Sequence, residues 1–169
     1  MYALYYTTLR IFQIYPGAHV VKLSPTSRPP KSLQHRVVAT ICTIAYIGHV
    51  SYLTLLPRFD YVYNMAFNVG LGLIHNFMWM LYSLPTSMSV IHRFPSKPKS
   101  YRPRFVNKAA LLIFLTTAGS ALELFDFPPW FGVIDAHALW HLATVPVAIM
   151  WYDFIIEDSL DPSWREQKL

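Results

Sequence analysis

Residues 37–56 read VVATICTIAYIGHVSYLTLL, twenty consecutive positions without an Asp, Glu, Lys or Arg. A helix of that length rises about 30 Å, the thickness of a bilayer's hydrocarbon core. The apolar residues form a continuous run, without the period that sets one face toward water and the other toward a core. Working outward, residues 61–84 give a second such run, and residues 105–125 a third with Lys108 and Glu123 near its ends. Residues 131–156 give a fourth, in which Pro146 is expected to kink the helix. The opening residues 1–14, MYALYYTTLRIFQI, are short for a span and carry Arg10, and they read as the later part of a membrane helix. The expected fold class is therefore all-α, a polytopic transmembrane helical bundle of four spans plus a partial N-terminal helix.

Composition agrees. Of 169 residues, 54% are hydrophobic and only 14% are charged, and the mean hydropathy is +0.31, a poor match to a water-soluble domain. The single cysteine, Cys42, lies inside an apolar run, which excludes an intrachain disulfide and a Cys-based zinc site. No basic n-region or small-residue cleavage site marks residues 1–14 as a signal peptide.

The net charge of +5 is unevenly placed, since the first acid is Asp60 and the second is Glu123. The linker of residues 15–36 is rich in proline and serine and holds Lys22, Arg28, Lys31 and Arg36. The stretch HRFPSKPKSYRPRFVNK, residues 92–108, carries six Lys or Arg and no acid. The positive-inside rule puts both basic segments and the tail of residues 157–169 in the cytosol. The short turns PRFD and DFPPWFGVID then face the opposite, lumenal side. The expected organisation is a partial helix at 1–14, a cytosolic linker at 15–36, a four-helix membrane domain at 37–156 and a cytosolic tail at 157–169. The basic loop reads as solvated or as touching anionic headgroups, with no nucleic-acid partner.

His137 and His141 stand four residues apart at the start of the last apolar run, so a helix presents both imidazoles on one face. That spacing can offer two nitrogens to one metal ion, and polar groups within a membrane usually face a partner or a cavity. Two hydrogen-bonded structural histidines would give the same pattern. Asp135 just before them is an N-cap candidate, and it could also accept from a histidine N–H or act as a general base. Glu123 could pair with a histidine or sit at the interface. His49 and His75 are each a possible third ligand or a structural residue. Trp130, Trp140 and Trp151 fit an interfacial aromatic belt, while Gly70, Gly72, Asn64, Asn68 and Asn76 fit close helix packing.

With those residues in view, the sequence resembles the post-GPI attachment to proteins factor 3 family. The resemblance rests on HVSYLTLLPRFDYVYNMAFNVGLG (49–72), LELFDFPPWFGVIDAHALWH (122–141) and EDSL (157–160). It implies the later helices of a seven-helix fold of the endoplasmic reticulum or Golgi membrane, within a hydrolase superfamily that includes alkaline ceramidases. It also implies a divalent metal, by expectation zinc, with His137 and His141 as two of three ligands; Asp135, from its position just before the pair, is the candidate catalytic carboxylate. The implied activity is phospholipase A2-like. An acyl chain is removed from the phosphatidylinositol of GPI-anchored proteins by metal-dependent ester hydrolysis.

The family's early helices, with a Ser-x-x-x-His motif and an aspartate, have no counterpart here, and residues 1–14 resemble only the later part of its third helix. The chain is therefore expected to be the C-terminal part of such a hydrolase, active if the missing part is supplied. The alternative is a non-catalytic membrane subunit or a truncated inactive relative, its histidines fastening helices together. A proton or ion conductor is the weaker rival, because the interiors of the first two spans lack Asp, Glu, Lys and Arg.

Overall fold

The computed structural model describes residues 1–14, 31–94, 97–125 and 127–161. They form five α-helices in chain order: α1 (Tyr2–Ile11), α2 (Lys31–Leu55), α3 (Tyr61–Ser83), α4 (Phe105–Leu124) and α5 (Ala136–Leu160). A single 3-10 turn (Thr86–Met88) follows α3. No extended strand occurs among the described residues.

Three of these helices are long and apolar enough to cross a membrane, over Leu33–Leu55, Phe105–Leu122 and Ala136–Leu160. At 23 residues, α3 has the length of a span, about 34 Å. Its asparagines, tyrosines and His75 lower its hydropathy, so it does not join the three on composition. The helices also run past the apolar cores read from the sequence. Residues 31–36, expected in the linker, form the first turns of α2. The reason is local: Pro29 and Pro30 lack the N–H a helix interior needs, and Lys, Leu, Gln and Arg immediately after them favour helix. The rest of the expected linker, 15–30, and the tail beyond 161 lie outside the described residues.

The chain divides into two compact units, residues 1–78 and 79–167. In the first, α1 packs on α2, and the Tyr5 hydroxyl is hydrogen-bonded to the His35 imidazole. Helix α1 ends with Gln13 at φ 54°, and the Ile14 N–H reaches back to the Leu9 carbonyl at 2.8 Å. This is the six-to-one bond of a left-handed helix stop, and Leu9 and Ile14 are both buried. Across the turn from α2 to α3, Asp60 caps α3 by accepting from the Tyr63 N–H at 2.9 Å.

The second unit is built on the pairing of α4 with α5. Trp151 Nε1 donates to Thr116 Oγ1 at 3.0 Å, and a methyl group of Thr144 lies 3.9 Å from where a Cβ on Gly119 would sit. At the other end of the pair, Trp79, Tyr82, Phe94, Phe105 and Phe154 interlock edge to face, with Trp79 and Phe154 centroids 5.0 Å apart. Within this aromatic cluster Asp158 is fully buried and accepts from the Tyr82 hydroxyl at 2.5 Å. Two arginines of the basic loop close the end of α3. Arg93 donates to the carbonyls of Tyr82 and Leu84, and Arg102 to those of Ser83 and Leu84. Cations at a helix C-terminus satisfy the orphan carbonyls and complement the helix dipole.

Between α4 and α5 the chain makes a tight turn. The Val133 N–H bonds to the Trp130 carbonyl at 3.1 Å, and Trp130 and Ile134 form an antiparallel bridge of 2.7 and 3.1 Å. The two central residues, Phe131 at φ 53° and Gly132 at φ 70°, are both left-handed. Glycine adopts that region freely, whereas for an L-residue with a bulky side chain it costs about 1–2 kcal/mol.

Candidate metal centre

The turn delivers the chain directly into α5. Asp135 is the N-cap, extended at φ −108°, and its Oδ1 accepts from the Ala138 N–H at 2.7 Å. This fixes the first turn of the helix and with it the direction in which the next side chains leave. His137 and His141 emerge one turn apart, both exposed, with their Nε2 atoms 3.1 Å apart and their rings perpendicular. Trp140 lies against both imidazoles, at centroid distances of 5.5 and 4.5 Å. A cleft of about 350 Å³ lined by Phe127, Pro128, Pro129 and Asp135 opens beside the cap.

The pair fits a metal ion by its bite. Two ligands of a tetrahedral ion with bonds of about 2.0–2.1 Å stand roughly 3.3 Å apart, close to the spacing the helix already imposes. Among the described residues no group of three or more His, Cys, Asp or Glu side chains comes together. The Glu123 side chain and Asp126 lie outside the described residues. His49, in the first unit, is stacked on Phe67 at 3.9 Å and 9°, and its buried Nδ1 has no hydrogen-bond partner among the described residues. His75, on α3, is half-buried.

Comparison with known proteins supplies what geometry alone does not. Residues 1–159 match the Per1-like family. The chain belongs to that family. Its relatives include the GPI-specific phospholipase A2-like PGAP3 of Homo sapiens, 37% identical over 132 residues, a match covering 76% of this chain and 37% of the human protein. The Danio rerio PGAP3 is 40% identical over 124 residues, 73% of this chain and 35% of the fish protein. The Schizosaccharomyces pombe PER1 homolog is 38% identical over 122 residues, 71% and 32% of the two chains. The matched part thus spans about a third of the length of these relatives. No solved structure matches the chain. Family and helices together make this Per1-like chain a multi-pass membrane protein, helical with no strand among the described residues.

The sequence pointed to the His pair and to the capping aspartate, and both are where helical periodicity puts them. It did not point to the buried Tyr82–Asp158 pair, whose members are 76 residues apart. Asp158 reads in sequence as the start of a charged tail.

Proposed function

We propose that this Per1-like chain acts in GPI-anchor lipid remodelling in the endoplasmic reticulum or Golgi membrane. In this reading, it contributes to removing an acyl chain from the phosphatidylinositol of GPI-anchored proteins by metal-dependent ester hydrolysis. The observation that carries the reading is the Nε2 pair, held 3.1 Å apart across the first two turns of a membrane helix in a chain of this family. His137 and His141 would hold a divalent ion, by preference zinc, with a third ligand from outside the described residues, since catalytic zinc generally has three. What the ion supplies when bound is Lewis acidity toward water and toward an ester carbonyl. Asp135 fixes the helix start that aims both imidazoles, and it is the adjacent carboxylate for moving the proton between water and the leaving alkoxide. Trp140 packs against both rings and limits their rotation.

The test is metal content by mass spectrometry on the purified chain, alongside the acyl composition of GPI-anchored proteins in cells expressing it. Bound zinc that disappears in His137→Ala and His141→Ala, with loss of acyl exchange, supports the reading. Unchanged metal content and unchanged anchors in both variants would overturn it.

The direct bond between the imidazoles favours a second reading, a non-catalytic membrane subunit in which the pair fastens the first turn of α5. His141→Gln then lowers folding or assembly more than it changes anchor lipids.

A further inference from the structure

The turn ahead of α5 is built in a way that the packing of this chain does not account for. Phe131 is 100% exposed, although its backbone holds the left-handed conformation that a bulky residue adopts at a cost. Asn, Asp or Gly would occupy that corner of the turn without strain. Beside it Val133 and Trp130 are 78% and 58% exposed and Ile134 41%, and residues 127–134 carry no charge. The Trp130–Ile134 bridge pins the backbone of the turn and with it the directions in which the Phe131 and Val133 side chains leave. A strained backbone that displays a fully exposed aromatic ring gains nothing from the described residues, and the compensating contact lies outside them.

We infer that residues 130–134 form a hook that inserts into the outer hydrocarbon and headgroup layer of the bilayer. Lipid is the occupant the surroundings select. The turn joins two helices that each qualify as membrane spans, so it lies at one bilayer surface, and aromatic and branched apolar side chains partition into that layer. Because Ile134 is followed at once by the cap residue Asp135, the hook also sets the depth of the first turn of α5. His137 and His141 are then held at the level where a phospholipid's acyl ester lies, a last step that rests on the proposed function, whereas insertion itself does not.

The experiment uses the full chain with Cys42→Ala and Val133→Cys, carrying an environment-sensitive fluorophore and reconstituted in phosphatidylcholine nanodiscs. Expected are a blue-shifted emission, strong quenching by lipids brominated high on the acyl chain, and weak quenching by iodide. Adding Phe131→Asn, which relaxes the turn, should leave thermal stability unchanged or raised while lipid quenching is lost. Iodide quenching as strong as at a Ser100→Cys label in the basic loop overturns the proposal. So does a label shielded from both quenchers, which would mean that protein covers the hook. Neither readout requires catalysis, so loss of acyl-exchange activity and failure of insertion are separately visible.

Discussion

Asp135 is asked to do two things, and a single substitution pair separates them. Its Oδ1 holds the Ala138 N–H at 2.7 Å, a helix cap, while the proposed chemistry needs its negative charge. Asparagine caps a helix about as well as aspartate but cannot take up a proton, whereas alanine does neither. Asp135→Ala is expected to cost about 1 kcal/mol of stability, and Asp135→Asn almost nothing, as read by thermal unfolding in detergent. Acyl exchange should fall in both. Activity that survives in Asp135→Asn would reduce the residue to a cap. The His pair was legible in the sequence because a four-residue spacing on a helix leaves little freedom, and the 3.1 Å Nε2 separation follows from it. The backbone of Phe131 was not legible, because only the glycine beside it announces positive φ and nothing in the letters assigns it to the aromatic residue as well.

At the scale of elements, the end of the second unit is held by a polar contact inside an aromatic cluster. Asp158 is fully buried, and the Tyr82 hydroxyl donates to it at 2.5 Å, joining the last turn of α3 to the last turns of α5. A buried carboxylate that loses a donor keeps its desolvation penalty, so Tyr82→Phe should cost about 1–3 kcal/mol although it removes one oxygen and no packing volume. Unfolding in detergent measures the loss, and a change within a few tenths of a kcal/mol would mean that another donor takes over. The existence of the long helices was visible in the runs without charge. Their ends were less so, since a polar residue such as Asp158 continues a helix once a distant partner, here Tyr82, satisfies it. The basic loop shows the same limit. Its charge density reads as solvated, yet Arg93 and Arg102 spend their guanidinium groups on the carbonyls that end α3, a use that depends on neighbours distant in sequence.

For the whole molecule, the reading that matters most to function is which side of the membrane each turn faces. The six cations of residues 92–108 count toward orientation whether or not they are engaged at the end of α3, because the bias concerns translocating charge before packing is complete. The expected orientation therefore has the α3–α4 loop in the cytosol, and alternation would then set the α2–α3 turn and the start of α5 in the lumen. The lumen is the side on which the anchors of mature proteins are found, so the His pair and its proposed substrate meet only in this orientation. Since Cys42 is the sole cysteine, Cys42→Ala gives a clean background for mapping. In sealed microsomes an impermeant maleimide should label Lys99→Cys from the cytosolic side at once. Arg58→Cys, in the exposed turn before α3, should stay protected until the vesicles are opened. The reverse pattern would put the imidazoles of α5 on the cytosolic face, away from every mature anchor, and the non-catalytic reading would then be the one left standing.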